Sequence, residues 1–314
     1  MTILRLDARQ PMPASLRGAV IALGNFDGFH RGHQAVVGQA VDWARAEGRP
    51  AIVATFDPHP VRFFAPDAPP FRLTTLDQRL ELFAQAGADA MLVFAFDAEL
   101  AATTAEQFVA DLLVGRLGAA GVVTGEDFTF GKGRGGNVAV LAELGAPLGL
   151  RARAVGPVAD EGEVVSSSRI REALRAGDCG EATHLLTRPF AIRGTVQHGD
   201  KLGRTLNFPT ANLLLGSYLR PRFGIYAVTG TVLSGPLAGG PVLHGAANLG
   251  VRPQFDPPKE LFEPHFFDFS GDLYGEEIEV QFHHFLRPEA RFDSLEALTA
   301  QMEADCAQAR ALLR

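Results

Sequence analysis

The sequence predicts two domains of different class: an α/β domain with a doubly wound parallel sheet, then an antiparallel six-stranded β-barrel with a terminal helix. The length of 314 residues suits two domains of ordinary size. In the first half, short apolar runs alternate with helix-patterned stretches, which is the order of parallel strands joined by crossover helices. From about residue 187, strand-like segments follow one another without helices. We therefore predict domains at 1–186 and 187–314.

The strands of the first domain are predicted from apolar runs, and its helices from one-sided stripes. The first helix, HQAVVGQAVDWARAEG, follows a glycine-rich loop, and LDQRLELFAQAG carries a leucine stripe that ends at a glycine. TTAEQFVADLLVGRLG opens with Thr104-x-x-Gln107, the spacing of a capping box. The predicted strands are Ala19–Leu23, Ala51–Thr55, Ala90–Phe96, Gly121–Thr124 and Ala152–Val155.

The second domain is predicted from six strand-like segments separated by Gly, Pro and Asp turns. A single helix, from Leu295 to about Leu313, closes the chain. Consecutive strands without crossovers indicate an antiparallel sheet or small barrel. The segments are AIRGTVQ, PTANLLL, GIYAVTGTVL, VLHGAANL, ELFEPHFFDF and EIEVQFHHFL.

Composition narrows the classes of partner. The net charge of −7 gives no general attraction to nucleic acid or an anionic membrane. The two cysteines, Cys179 and Cys306, form no CxxC pair, which excludes a thiolate zinc site. The N-terminus has no apolar leader core, and Asp97 and Glu99 interrupt the longest apolar run. We expect a soluble cytoplasmic protein.

Residues 24–33, GNFDGFHRGH, join a predicted strand to a predicted helix and suggest an anion site. Glycines let a phosphate approach the backbone, and a helix N-terminus supplies N–H groups and partial positive charge. The spacing matches neither GxxxxGK[ST] nor GxGxxG. His30 and His33 would share one face of the first turn and could bind phosphate oxygens. Two alternatives stay open: a metal site that includes Asp27, and ordinary capping or surface residues.

Two further stretches carry candidate phosphate and metal chemistry. VSSSRIREAL (residues 165–174) places serines before a helix and arginines in its first turns, where they could bind phosphate. An ordinary serine N-cap followed by solvated arginines would give the same pattern. GDKLGRTLNFPTAN (residues 199–212) is a basic, glycine-rich loop that leads into a strand. Thr210 and Asn212 would there face the same side and offer the hard oxygen ligands that Mg²⁺ takes, unless PTAN is an ordinary turn.

The string GxFDGxHxGH resembles the signature of nucleotidylyltransferases, which transfer AMP from ATP to a phosphate acceptor and have a Rossmann-like fold. VSSSRIREAL resembles the SSTxIR element of the same family, with a third serine, Ser168, in the place of threonine. FDPHP, LTTLDQRLELF and GEDFTFGKGRGGN follow in the order seen in bacterial bifunctional riboflavin kinase/FMN adenylyltransferases. PTAN preceded by GxxxGR, and FEPHFFDFSGDLYG, resemble the riboflavin kinase half of that family from about residue 188 onward.

This resemblance implies two active sites, with riboflavin, FMN, FAD and ATP as substrates and products and Mg²⁺ as the metal. It implies His30 and His33 as catalytic in adenylyl transfer and Glu263 as the carboxylate that accepts the ribityl proton. If Glu263 is not the base, Asp268 is the next candidate. Thr210 and Asn212 would be the metal ligands. The implied ATP and phosphate contacts are Gly24, Phe26, Asp27, Gly28, Gly32, Ser167, Ser168, Arg171, Gly199, Lys201, Gly203 and Arg204. The implied flavin contacts are Phe56, Pro58, Asp127, Phe128, Phe130 and Arg252, although Phe128 and Phe130 could equally fill the core.

Some positions depart from the family pattern. Asn137 stands where the family has aspartate and receives no role, and Asn207 replaces a glycine. Pro264, directly after Glu263, indicates an edge strand or a bulge. Two other functions stay open at this point: a nucleotidylyltransferase for another acceptor, against which the kinase motif argues, and a non-catalytic flavin-sensing regulator, which would have lost the catalytic residues.

Overall fold

The structure, a computed structural model, describes residues 3–198, 208–252 and 259–314, with only the backbone of residues 252 and 259. The chain divides into two compact units. Unit 1 comprises Met1–Pro69 and Thr75–Ser166, and unit 2 comprises Pro70–Thr74 and Ser167–Arg314. Among the described residues, no helix is long and apolar enough to cross a membrane.

Unit 1 is built on a six-stranded parallel sheet, as the alternating pattern predicts. Its strands are β1 (Leu4–Asp7), β2 (Val20–Leu23), β3 (Ala51–Asp57), β4 (Ala90–Ala95), β5 (Gly121–Gly125) and β6 (Arg151–Val155). Their order is β1-β4-β3-β2-β5-β6, and every pairing is parallel. The sequence pattern missed β1, because this edge strand is largely exposed and has no apolar run. A short hairpin, β7 (Ala159–Asp160) and β8 (Glu163–Val164), lies outside the main sheet.

Helices cover both faces of this sheet. They are α1 (Arg31–Ala46), α2 (Pro60–Phe64), α3 (Leu76–Gln85), α4 (Ala98–Ala102), α5 (Ala105–Gln107) and α6 (Val138–Gly145). The capping box at Thr104 is present, but the helix it starts continues from Phe108 to Arg116 as a π-helix. Along β2, Ile21 and Leu23 belong to the apolar cluster on one face, and Val20 and Ala22 to the cluster on the other. Burial on both faces explains the unbroken apolar runs.

Unit 2 combines two helices, an antiparallel sheet and the closing helix. The helices α7 (Ser167–Ala176) and α8 (Cys179–Leu186) come first, and α9 (Leu295–Leu312) comes last. The five strands are all antiparallel, in the order β12-β11-β10-β13-β9. They are β9 (Phe190–Thr195), β10 (Gly224–Val232), β11 (Leu243–Arg252), β12 (Lys259–Phe266) and β13 (Glu277–Arg287).

The sixth predicted strand, PTANLLL, is present as a short segment that joins both edges of this sheet. Gln197, just after β9, donates its N–H to the carbonyl of Asn212 at 2.8 Å, and Leu213 donates to Phe262 of β12 at 2.9 Å. The sheet therefore curls into a barrel-like shape. Its inner face holds buried rings, with Phe262 stacked on Phe282 at 5.0 Å between centroids. The helix α9 packs on the other face, against β10, β11 and β13.

Candidate functional sites

The loop between β2 and α1 is held in a strained, closely packed path. Phe26, Gly28 and Phe29 have φ values of 51°, 86° and 44°, in the left-handed region where only glycine is relaxed. The rings of Phe26 and Phe29 are buried and both pack edge-on against Phe83 of α3. A side chain at Gly24 would press on the Phe26 ring at 3.0 Å. These anchors fix the loop backbone at the carboxyl end of β2.

The structure brings the two predicted histidines together at the start of α1. His30 is the N-cap residue, and its ring stacks on that of His33 with 3.6 Å between centroids and an interplanar angle of 22°. Phe26 packs edge-on against the His33 ring at 5.3 Å. Asp27 and His30 are buried, at 4% and 5% exposure. Among the described residues, no three His, Cys, Asp or Glu side chains form a group that could hold a metal ion, so the metal alternative has no support here.

A buried arginine that the sequence analysis missed lies beneath this loop. Arg79 of α3 is 2% exposed, and its Nη1 donates to the carbonyl of Asn25 at 3.0 Å and to Oγ1 of Thr55 at 2.7 Å. Thr55 also donates to the Asn25 carbonyl, at 2.8 Å. The signal was present in the sequence, because Arg79 lies on the buried helical face of α3 between Leu76 and Phe83. A buried cation under the loop adds positive potential to the helix N-terminus.

The other unit 1 candidates lie at the carboxyl ends of the neighbouring strands. In the sheet, β3 lies on one side of β2 and β5 lies on the other. The order of the strands therefore reverses beside β2, and open α/β sheets bind ligands at such a switch point. Phe56 is the penultimate residue of β3, which ends at Asp57, and the bond between Asp57 and Pro58 is cis. After β5, Asp127 is exposed, Phe128 is half-buried, and Phe130 is buried against Phe108 at 5.3 Å. Phe130 therefore packs in the core, which is one of the two roles that the sequence left open for it.

The SSSRIR stretch forms the first turns of α7, which belongs to unit 2. Ser167 is its first residue, and Ser168 is exposed. The Nε of Arg171 donates to the carbonyl of Phe71 at 2.8 Å, and its guanidinium lies over the Phe71 ring at 5.3 Å. Arg169 instead forms an ion pair with Glu181 of α8 at 2.5 Å. These contacts fix α7 within unit 2, and the phosphate roles of the serines and of Arg171 stay predictions.

The main site of unit 2 is a cavity of about 320 Å³ between the outer face of the sheet and α9. Residues from distant parts of the chain meet there in one row across the strands. Phe262 and Pro264 of β12 accept hydrogen bonds from Leu213 and Ala211, which sets Asn212 opposite Glu263. Glu263 pairs with Asn248, Asn248 with Ile225, and Ile225 with Arg287. All five members of this row line the cavity: Asn212, Glu263, Asn248, Ile225 and Arg287.

Thr210 also lines the cavity, near a second anchor to β12. His265 is joined through Nδ1 to the carbonyl of Pro209 at 2.8 Å, and Ala211 donates to Pro264 at 2.9 Å. Both bonds hold the Thr210 segment against the strand that carries Glu263. Pro264 lies on the edge strand of the sheet, as the sequence predicts, and pairs with Ala247 without a register shift.

The alternative base, Asp268, does not line the cavity. Its carboxylate is exposed and forms an ion pair with Arg310 at 2.6 Å, and hydrogen bonding to that guanidinium lowers its pKa. A lower pKa makes the group a weaker proton acceptor, so the geometry favours Glu263. Several predicted contacts lie outside the described residues: Gly199, Lys201, Gly203 and Arg204, as does Asn207, and of Arg252 only the backbone is described.

The cavity also contains an ion pair that the sequence analysis missed. Arg287 of β13 binds Asp305 of α9, through Nε at 2.9 Å and through one Nη at 2.6 Å, and Gln301 donates to the same carboxylate at 2.9 Å. Asp305 is only 4% exposed, although no motif in the sequence of α9 distinguishes it from the exposed acidic residues of that helix. The pair fastens α9 over the cavity, which therefore has a fixed lid of helix on one side.

Two enzyme domains follow from comparison with known families. Residues 12–169 match the family model described as FAD synthetase, and residues 186–313 match the one described as riboflavin kinase. The chain is 40% identical over 297 residues to the bifunctional riboflavin kinase/FMN adenylyltransferase of Escherichia coli (strain K12), covering 95% of this chain and 93% of that protein. The enzyme of the same name from Bacillus subtilis (strain 168) is 37% identical over 293 residues, covering 91% and 90%.

The fold and the two sites thus define a transferase of phosphorus-containing groups with two catalytic units. This chain belongs to the bifunctional riboflavin kinase/FMN adenylyltransferases, and its activities are those two. A solved structure from Streptococcus pneumoniae, described as a macrolide-efflux protein, superposes with a TM-score of 0.85 at 30% identity, covering 96% of this chain and 97% of the other. It shares the fold along nearly the whole length.

Proposed function

We propose that the chain makes FAD in two steps at two separate sites. At the unit 2 cavity, the γ-phosphoryl group of ATP passes to the terminal ribityl hydroxyl of riboflavin, giving FMN and ADP. At the histidine loop, a second ATP transfers AMP to the phosphate of FMN, giving FAD and pyrophosphate. The observation that carries the first step is the row in the cavity that sets Glu263 opposite Asn212. Free ATP is plentiful in the cytoplasm, where we place the enzyme.

Glu263 is the group that accepts the proton of the attacking hydroxyl. It lines the cavity, is half-buried, and lies on an edge strand whose neighbour segment carries Thr210 and Asn212. A carboxylate at this place can take up the proton as the O–P bond forms, while the β–γ bond of ATP breaks and ADP leaves. The helix α9 covers the cavity, which keeps water from competing with the hydroxyl as the acceptor.

Thr210 and Asn212 fit a Mg²⁺ ion by the chemistry of their donors. A hydroxyl and an amide oxygen are hard ligands, and both side chains line the same cavity as Glu263. When bound, the ion neutralises charge on the phosphates of ATP. The segment that holds the two ligands is fixed to β12 by the bonds at Ala211 and Leu213, so they are positioned before ATP arrives. The loop residues Gly199, Lys201, Gly203 and Arg204 are proposed to bind the phosphates through N–H groups and charge.

His30 and His33 bind the negative charge that develops on the α-phosphate of the second ATP. They are stacked at the N-terminus of α1, where N–H groups and the helix dipole favour an anion. The ATP phosphates are proposed to contact Gly24, Phe26, Asp27 and Gly28 of the loop and Gly32 in the first turn of α1. The buried Arg79 adds a positive charge below the loop.

Ser167, Ser168 and Arg171 are proposed as further phosphate donors in adenylyl transfer. Phe56, Pro58, Asp127 and Phe128 are proposed to contact the flavin at the carboxyl end of the unit 1 sheet, and Arg252 to contact it at the kinase site. For Phe130 the flavin role is weaker, because its ring is buried at 6% exposure.

One assay separates this function from its alternatives. The protein is mixed with riboflavin and Mg-ATP, and the flavins are separated over time. FMN should appear first and FAD should follow, and added FMN should be converted to FAD without a lag. Activity with FMN but none with riboflavin would contradict the kinase assignment. A regulator that only senses flavin would bind without turnover, and a transferase for another acceptor would leave both flavins unchanged.

A further inference from the structure

The cavity of unit 2 contains a buried acceptor that the two-step scheme does not use. The side-chain oxygen of Asn248 is buried and has no hydrogen-bond partner among residues 3–198, 208–252 and 259–314. Buried polar atoms in folded proteins nearly always have a partner, and leaving one unmet is costly. A donor from outside the described residues is therefore expected at this oxygen.

The position of Asn248 says what kind of donor this is. In the cross-strand row, Asn248 lies directly opposite Glu263. Side chains in such a pair have Cβ atoms about 4.5–5.5 Å apart and point to the same face. Its other neighbour in the row, Ile225, is apolar, and beyond it Arg287 is bound to Asp305. Asn248 thus lines the same cavity one strand away from the proposed base, and its buried side-chain oxygen is an acceptor that rotation of the amide can turn towards a ligand.

We propose that Asn248 is a specificity-determining residue that recognises a secondary hydroxyl of the polyol chain of the acceptor. This inference rests on the proposed role of Glu263. A polyol presents hydroxyls on successive carbons, so two adjacent acceptors across strands match two nearby hydroxyls of one chain. Glu263 takes the terminal hydroxyl, which reacts, and Asn248 accepts a hydrogen bond from one further along. Asn248 stays neutral and moves no proton; it fixes the direction from which the terminal hydroxyl reaches Glu263.

Another polar group on the cavity wall competes for this role. Glu289 is exposed and lies so close to Gly250 of β11 that a Cβ there would come within 2.0 Å of its Oε1. Partial desolvation raises its pKa. Gly250 is two residues from Asn248 on the same strand, so Glu289 could meet the same ligand. The experiment below therefore includes it.

The test compares two acceptors in the full chain. One is riboflavin, and the other is a flavin with a 5-hydroxypentyl chain, which keeps the terminal hydroxyl and has no secondary ones. The wild type should favour riboflavin by about 10-fold or more in kcat/KM, since a site built for a hydroxyl is left with an unmet acceptor by the analogue. In Asn248→Ala this ratio should fall towards one, because riboflavin loses activity and the hydroxypentyl flavin does not. Asn248→Asp keeps an acceptor and should retain part of the preference.

Matched controls separate recognition from folding. Gln281→Ala removes an amide from the same outer face of the sheet, where it contacts Thr229 and does not line the cavity, and should leave the ratio unchanged. Conversion of FMN to FAD by each variant reports whether the rest of the chain is intact. Asn248→Leu, which keeps the size of the side chain and also removes the acceptor, is the replacement if Asn248→Ala does not melt cooperatively.

The outcomes are distinct. A preserved ratio in folded Asn248→Ala overturns the proposal, and so does an equal loss on both acceptors, which would indicate a structural role. A ratio that falls in Glu289→Ala but not in Asn248→Ala assigns the recognition to Glu289 instead. Glu263→Gln should lower both acceptors alike, because both carry the reacting hydroxyl. If the wild type phosphorylated neither flavin, the proposed kinase function itself would fail.

Discussion

At the scale of single residues, substitution of His33 tests the proposed adenylyltransferase site. The His33 ring is packed between His30 and Phe26, so its orientation is fixed before a nucleotide binds. We expect His33→Ala to lower the rate of FAD formation from FMN by about 10²–10³, the usual cost of losing one preorganised donor to a transition state. Formation of FMN from riboflavin should stay near the wild-type rate and serves as the internal control. Near-normal FAD formation would show that His33 has no role in the transfer.

Substitution of Glu263 should have the opposite effect, lowering FMN formation and leaving FAD formation from FMN intact. Glu263→Gln keeps the size of the side chain but cannot accept the proton of the ribityl hydroxyl, so the kinase rate should fall by roughly 10²–10⁴. Added FMN should still be adenylylated at the wild-type rate, measured by separating FMN from FAD. An unchanged kinase rate would place the base elsewhere, and Asp272, which lines the same cavity, would be the next residue to substitute.

The sequence reveals such residues only where motif or periodicity singles them out. Glu263 and Asn212 come from separate motifs, and only the register of the barrel shows that they are opposite each other. Arg79 lies on the apolar face of its helix, a signal of burial that the sequence analysis did not use. Asn248 lies in a strand of small and apolar residues, where one polar side chain is typical of a surface position. The burial of Asn248 depends on which neighbours pack against it, and local pattern does not contain that information.

At the scale of elements, the ion pair between α9 and β13 can be tested for stability. Asp305→Asn leaves the Arg287 guanidinium, which is 21% exposed, without a counter-charge beside the cavity. Removing one partner of a buried ion pair lowers the free energy of unfolding by about 3–5 kcal/mol. Because Arg287 is partly exposed, we expect a loss of about 3 kcal/mol here. Denaturant unfolding followed by circular dichroism would measure the loss in free energy of unfolding, and the kinase KM for riboflavin should rise because α9 loosens.

An exposed pair on the same helix is the matched control. Asp268→Asn removes the partner of Arg310, whose side chain is 46% exposed while that of Asp268 is 78% exposed. Asparagine tolerates the positive φ of 56° at this position, so the backbone is not strained by the change. Exposed pairs contribute little, and the loss should be clearly smaller than in Asp305→Asn. Equal losses would mean that burial of the pair is not what fastens α9.

The sequence predicted those secondary-structure elements whose burial leaves a local pattern of apolar residues. The strands β2 to β5 were found because burial on both faces leaves continuous apolar runs. The edge strand β6 is partly exposed and was found from the segment Ala152–Val155. The segment PTANLLL (residues 209–215) was predicted as a full strand but forms only a single bridge to each edge, at Asn212 and at Leu213, because tertiary closure rather than strand propensity sets its length. The π-helix at Phe108–Arg116 has the same apolar content as an α-helix and no sequence signal of its own.

At the scale of the whole molecule, the fold class could be predicted because the two halves differ in the order of their elements. The boundary at residue 187 stays a prediction, and unit 2 includes α7, α8 and Pro70–Thr74 as well as the barrel. The helix α8 packs against β9 and β13, with Leu185 and Leu186 buried at 0% and 2% exposure. A stretch that reads as the end of the first domain thus buries apolar surface of the second.

This packing yields a prediction about autonomous folding. Residues 187–314 contain the strands, α9 and the proposed kinase residues, so this fragment should fold and convert riboflavin to FMN but make no FAD. Residues 167–314 keep α7 and α8 and should melt at a higher temperature, because truncation at 187 exposes the surface that Leu185 and Leu186 cover; each such side chain buried contributes about 1.5–3 kcal/mol. Thermal melts of both fragments, with a kinase assay on each, make the comparison. A shorter fragment as stable as the longer one would show that α8 adds nothing to the barrel. A folded longer fragment without kinase activity would mean that residues before 167 complete the kinase site, and the two sites would then not be independent.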